Sequence, residues 1–180
     1  MVKDQWNKQF SENQYTYGKT VNAFIQEKSN LFPSQSKVAC FAEGEGRNAV
    51  YLAKQGHTVT AYDVSTVGLN NAKQLAEEND VTITTIEADL LKTEIEKEKY
   101  DGAVMVFGHV KNVHQPYFIK NIIDAVKPGG YILIEVYSKN QLDYNTGGPG
   151  KEEFLYDPHD MLEWIKPHFC QHFYYGEADR

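Results

Sequence analysis

A glycine turn between a short apolar strand and a helix, with an acid ending the next strand, constrains this chain more than any other feature. Residues 38–41 read Val-Ala-Cys-Phe, and the turn Ala42-Glu43-Gly44-Glu45-Gly46-Arg47 follows at once. Glycines directly after a strand let backbone N–H groups approach a ligand closely, because no Cβ stands in the way. The helix predicted over 47–55 carries Ala49, Val50, Leu52 and Ala53 on a sheet-facing stripe, and Gly56 closes it. Residues 58–62 (Thr-Val-Thr-Ala-Tyr) read as a strand with Asp63 at its carboxyl end. Ligands of open α/β sheets bind at that edge, where an acid accepts hydrogen bonds from a ribose. The stretch predicts a nucleoside-cofactor site.

The residues Gly44-Glu45-Gly46-Arg47-Asn48-Ala49 fit the dinucleotide fingerprint G-x-G-x-x-A literally, but a lone match of this kind is weak. Glu43 and Glu45 are expected to point toward the place of a pyrophosphate. Carboxylates there repel a dianionic linker and suit a cationic amino group or sulfonium. This favours S-adenosylmethionine over a nicotinamide dinucleotide.

A formal net charge of -7 argues against non-specific nucleic-acid binding, which rests on basic surface. No apolar run reaches membrane-spanning length, and the polar start Met-Val-Lys-Asp-Gln is no signal peptide. With two cysteines, Cys40 in a predicted core strand and Cys170 near the end, the plain expectation is a cytoplasmic, disulfide-free protein.

At 180 residues one domain is expected, with a helical leader over 1–30, a cofactor-binding core over 36–137, and a substrate-side loop, helix and last strand over 138–180. The leader breaks around Tyr15-Thr16-Tyr17-Gly18 and resumes at Thr20. Ser65 is a good N-cap for a helix running to Asn79. Residues 81–86 form a third strand, with Asp89 just past its end. Residues 100–107 are near-continuously apolar, as in a central parallel strand buried on both faces. A helix over 117–126 is stopped by Lys127-Pro128-Gly129-Gly130, and residues 131–137 form the fifth strand. A helix over 158–165 and a last strand over 169–175 complete an α/β doubly wound, mostly parallel sheet.

The run Glu45-Gly46-Arg47-Asn48, the leader motif Tyr15-Thr16-Tyr17-Gly18 and the loop Asn145-Thr146-Gly147-Gly148-Pro149 resemble class I S-adenosylmethionine-dependent methyltransferases of the small tellurite-resistance and thiopurine type. The resemblance implies a Rossmann-like fold. It also implies that Gly44 and Gly46 take the methionine part of the cofactor, Asp63 the ribose hydroxyls, and Asp89 a place by the adenine amino group. The candidate cofactor set is Tyr17, Ala42, Glu43, Gly44, Gly46, Arg47, Asp63, Val64, Asp89, Leu90 and Phe107. Two departures stand out: Cys40 and Ala42 replace the family's usual Asp and first glycine, and Ala42 costs little only if its φ is negative. The family's sheet ends in two further strands, whereas one is predicted here. The protein is then shortened, the chain is clipped, or a partner chain supplies the pairing, which leaves a homodimer open.

Several residues keep two readings. Glu43 meets the cofactor or caps loop backbone. Arg47 binds the cofactor carboxylate or sits exposed on its helix. His109, after the central strand, is the candidate catalytic residue, orienting or deprotonating substrate, or it makes a structural hydrogen bond. Tyr15 and Tyr17 form a lid or pack the leader. The loop over 144–150 is expected to cover substrate. His168, Cys170 and His172 alternate along the last strand, but three ligands without a supporting cluster read as an exposed face, so no metal is expected. The expected activity is methyl transfer to a small molecule with a soft or already ionised nucleophile. A cofactor-binding protein without catalysis and a nicotinamide-dependent oxidoreductase are the alternatives, the latter lacking room for a second nucleotide-binding half.

Overall fold

The computed structural model describes residues 2–144 and 146–178. Five strands, β1 (Lys37–Phe41), β2 (Thr58–Asp63), β3 (Thr84–Glu87), β4 (Tyr100–Val106) and β5 (Val126–Glu135), pair in the order β3-β2-β1-β4-β5. All four pairings are parallel. Among the described residues six α-helices accompany them: α1 (Val2–Glu12), α2 (Ala23–Lys28), α3 (Arg47–Lys54), α4 (Thr66–Glu78), α5 (Gln115–Asp124) and α6 (Pro158–Ile165).

Both faces of the sheet are covered, which is why its central strands read as apolar runs instead of alternating. From β1, Val38 and Cys40 pack on one face with Leu52 of α3 and Leu75 of α4. Ala39 and Phe41 pack on the other with Phe118 and Ile122 of α5. Burial of each large side chain contributes about 1.5–3 kcal/mol relative to exposure. Local caps fix the helix starts. The Ser65 hydroxyl accepts the Gly68 N–H at 3.0 Å, and the Asn22 side chain accepts the Ile25 N–H at 3.1 Å.

The structure corrects four expectations of the sequence. The third strand is shorter, Thr84–Glu87. The helix α5 begins earlier, at Gln115, because Pro116 is pre-organised for a first turn. It ends at Asp124, so Lys127-Pro128-Gly129-Gly130 does not stop it. That run lies inside β5, where Gly129 takes φ +82° and the register to β4 shifts between Tyr100 and Gly102. Residues 169–175 form no strand. No ladder partner reaches them from β5, and the segment is held by side chains instead, with the His172 ring stacked on Phe24 at 6.1 Å. The alternating face of His168, Cys170 and His172 therefore does not exist. Among the described residues no group of three His, Cys, Asp or Glu could hold a metal ion, and no helix is long and apolar enough to cross a membrane.

Candidate active site

The strand order reverses between β1 and β4, so the loops after these strands flank the switch point where open α/β sheets take ligands. On the β1 side, Gly44 and Gly46 both lie in the left-handed region, at φ +62° and +87°. The empty Cβ position of Gly46 would fall 2.6 Å from the Ala72 Cβ, and that of Gly44 3.2 Å from the Phe10 ring. These glycines let helix α4 and the leader close on the turn, a packing role the sequence reading missed.

Asp63 binds this turn together. Its Oδ2 accepts the Gly44 N–H at 2.8 Å and its Oδ1 the Ser65 N–H at 2.8 Å. The carboxylate is buried, which raises its pKa, while the amides of Ser65, Gly44 and Val64 oppose that rise.

Both loop acids are turned away from a ligand, which corrects the expectation that they face a linker. The Glu43 Oε1 accepts the N–H groups of Asn48 and Ala49 at 2.9 and 2.7 Å, capping α3, whose N-cap position is a glycine without a side chain. Burial pushes the Glu43 carboxyl up to about 7, against the pull of those two amides. Glu45 reaches the leader: its Oε1 accepts the Tyr15 N–H at 2.6 Å and its Oε2 the Thr16 N–H at 2.8 Å. Ala42 carries φ +51°, so the negative φ that would make it cheap is absent. The left-handed region costs a non-glycine residue about 1–2 kcal/mol.

On the β4 side, Phe107 also has a left-handed backbone, φ +56°, and its ring stacks on Tyr137 with centroids 4.4 Å apart. His109 continues the stack, 5.5 Å from Tyr137. Its Nδ1 lies 2.8 Å from the Phe154 carbonyl, which only accepts, so the proton sits on Nδ1. The buried Nε2 has no hydrogen-bond partner among the described residues. Desolvation pushes the imidazole pKa down to about 4. The backbone of Gly148 lies against the Tyr137 ring, where a Cβ would meet it at 2.7 Å. The loop expected to cover substrate thus touches the aromatic stack; Asn145 of its motif lies outside the described residues. The sequence reading missed Tyr137, which only its place two residues past β5 could have marked.

Asp89 makes an ion pair with Lys92 at 2.9 Å and accepts the Leu91 N–H at 3.1 Å. Leu90 and Val64 are half-buried beside it and Asp63. The Arg47 Nη1 donates to the Tyr17 carbonyl at 3.1 Å. The Tyr17 hydroxyl lies 3.4 Å from the Gln9 side chain, and the residue is 53% exposed, so Tyr17 is no core residue. Helix α1 runs over the strand ends: Lys3 pairs with Glu87, Asn7 accepts from the Ser65 hydroxyl at 2.7 Å, and Phe10 covers Gly44 and Gly68. A further polar chain crosses from leader to sheet. The Asn22 N–H donates to the Asn48 side chain at 3.0 Å, and the Asn22 amide donates to Glu135 at 2.5 Å. A cavity of about 1170 Å³ lies elsewhere, beside β5, lined by Phe24, Tyr131, Leu133, Met161 and Phe173 and by no residue of the glycine turn.

Residues 38–130 match the family described as "Methyltransferase domain". The chain is 33% identical over 131 residues to a ubiquinone biosynthesis O-methyltransferase of Rickettsia akari, covering 69% of this chain and 51% of that protein. It is 32% identical over 103 residues to the probable S-adenosyl-L-methionine-dependent methyltransferase TehB of Haemophilus influenzae, covering 56% and 36%. The chain therefore spans about half the length of the first relative and less of the second. The crystal structure of TehB from Haemophilus influenzae superposes with a TM-score of 0.70 at 24% identity, covering 89% of this chain and 55% of that one, and shares the fold.

Proposed function

We propose, for a chain that belongs to the methyltransferase domain family, that it transfers the methyl group of S-adenosylmethionine to a small molecule whose nucleophile is soft or already ionised. The observation that carries this reading is the Asp63 carboxylate, held by the Gly44 and Ser65 amides at the carboxyl end of β2. These amides do not use all the lone pairs of its two oxygens, which leaves acceptor capacity for a ribose hydroxyl. The withdrawal of Glu43 and Glu45 means that the choice of cofactor rests on the family, not on loop charge.

The donor set fits the cofactor. Asp63 would hold the ribose, Asp89 would stand by the adenine, and the backbone at Gly44, Gly46 and Phe107 would line the methionine part. When bound, the cofactor supplies an electrophilic methyl group on a cationic sulfur. The chain's own task is to place the acceptor in line and exclude water. Phe107, His109 and Tyr137 offer flat apolar faces for that. With its proton fixed on Nδ1 and its pKa near 4, His109 is a neutral, weak base. It orients an acceptor and does not ionise an alcohol. A thiolate, a chalcogen oxyanion or an acidic phenol brings its own lone pair. The rickettsial relative is named an O-methyltransferase, which favours an oxygen nucleophile among these.

Calorimetric titration with S-adenosylhomocysteine tests the reading. Asp63→Ala removes charge-assisted hydrogen bonds worth about 1.5–3 kcal/mol at the ribose and also frees the Gly44 and Ser65 amides of the turn, so binding should weaken at least about tenfold. An unchanged dissociation constant would remove Asp63 from the site. Binding of NADH in place of S-adenosylhomocysteine would overturn the cofactor assignment itself.

A further inference from the structure

Glu45 sits between the two left-handed glycines, yet its side chain serves another element. It is 7% exposed, and its carboxylate receives three donors: the Tyr15 N–H, the Thr16 N–H and the Asn71 side-chain amide, the last at 2.8 Å. Arg47, on the other side of Gly46, holds the next leader residue through the Tyr17 carbonyl. Three consecutive leader residues are thus gripped by side chains flanking one glycine. The grip holds Tyr15 at φ +56°, a conformation rare for an aromatic residue, and the Tyr15 hydroxyl donates to the Asn71 carbonyl at 3.2 Å. The fastened turn therefore lies against the glycine loop, where the backbone at Gly44 and Gly46 would line the methionine part.

We infer that Glu45 is a positioning residue, whose carboxylate fastens the leader turn 15–17 over the methionine end of the cofactor site without touching the cofactor. This rests on the function proposed above. A buried carboxylate bound to backbone amides is a strong and directional tie, and replacing it leaves those amides without an acceptor. The tie shares no hydrogen-bond partner with Asp63, the proposed ribose ligand, so it bears on ligands that carry the amino-acid part and hardly on those that stop at the nucleoside.

Two ligands separate this role from a general structural one. S-adenosylhomocysteine carries the amino-acid part, and 5′-methylthioadenosine lacks it. Calorimetry on the wild type, Glu45→Ala and the isosteric Glu45→Gln should show S-adenosylhomocysteine weakened at least about tenfold in Glu45→Ala and less in Glu45→Gln, which keeps an acceptor oxygen. Binding of 5′-methylthioadenosine should change by less than about threefold. Amide exchange at Tyr15 and Thr16 should speed up at least about tenfold in the alanine variant, with the β1 and β4 amides unaffected. Equal weakening of both ligands, or none for S-adenosylhomocysteine, overturns the role. If Glu45→Ala does not fold, Glu45→Gln decides by the same ratio. Wild-type protein that binds neither ligand overturns the cofactor reading, and this role with it.

Discussion

The edge around β1 and β2 and the flank beyond β5 treat their polar and apolar groups in opposite ways. Around the glycine turn, Glu43, Glu45, Asn48, Asp63 and Ser65 are all buried, and each meets a hydrogen-bond partner. Beyond β5, Phe169, Phe173, Tyr174 and Tyr175 stand exposed beside an open cavity of about 1170 Å³. The first region is over-determined, since every side chain fixes a neighbour's backbone. In the second, side chains rich in apolar surface find few partners. A cofactor slot of fixed shape needs the first kind of construction.

Gly46 offers the hardest test of that contrast. A valine there must adopt φ +87° and place its Cβ 2.6 Å from the Ala72 Cβ. Backbone strain of about 1–3 kcal/mol and overpacking of about 1–3 kcal/mol add to roughly 2–6 kcal/mol. Urea unfolding of Gly46→Val should show a loss of that size, a large part of an ordinary domain's stability. A loss under about 1 kcal/mol would mean that α4 yields easily, and that the edge is not over-determined.

The legibility of the sequence divides along the same line. β1, α3, β2 and the Ser65 cap were readable because their signals are local: apolar runs, a glycine turn and a capping hydroxyl within a few residues. The place of Asp63 followed from them. The direction of Glu43 and Glu45 was not readable, because it depends on a helix terminus needing an acceptor and on a leader turn some thirty residues earlier. Nor was the fate of residues 169–175, whose aromatic, strand-like composition needs a ladder partner that β5 does not give. Lys127-Pro128-Gly129-Gly130 carries a stop signal that β5 absorbs as a bulge, with the Gly130 Cβ position only 2.5 Å from the Asp101 carbonyl.

Glu43 sharpens the comparison through pH. Its folded pKa, about 7, lies above the ordinary 4.5. Between those values the folded state keeps a proton that the unfolded chain has released. Its contribution is therefore fully present below about pH 4.5 and lost as pH rises toward 7, a change of about 3 kcal/mol. Glu43→Gln keeps an oxygen for the Asn48 and Ala49 amides and does not titrate. The variant should gain stability relative to wild type as pH rises from 5 to 8. A difference between the two that is flat across this range would mean that the amides hold Glu43 ionised throughout, and that burial does not govern it.

The smallest effect is expected at the other region. Phe169 is 88% exposed, so Phe169→Ser removes little buried surface and should change stability by less than about 0.5 kcal/mol. The backbone of 169–175 has no ladder bonds, so its amides should exchange close to the rate of an unfolded chain in both proteins. The outer edge of β5 should exchange faster than β1, which is paired on both sides. A loss above about 1 kcal/mol, with protected amides at 169–175 in wild type and not in the variant, would break the contrast. It would mean that this aromatic segment packs into the cavity beside β5 in solution, and that both flanks of the sheet are built to the same standard.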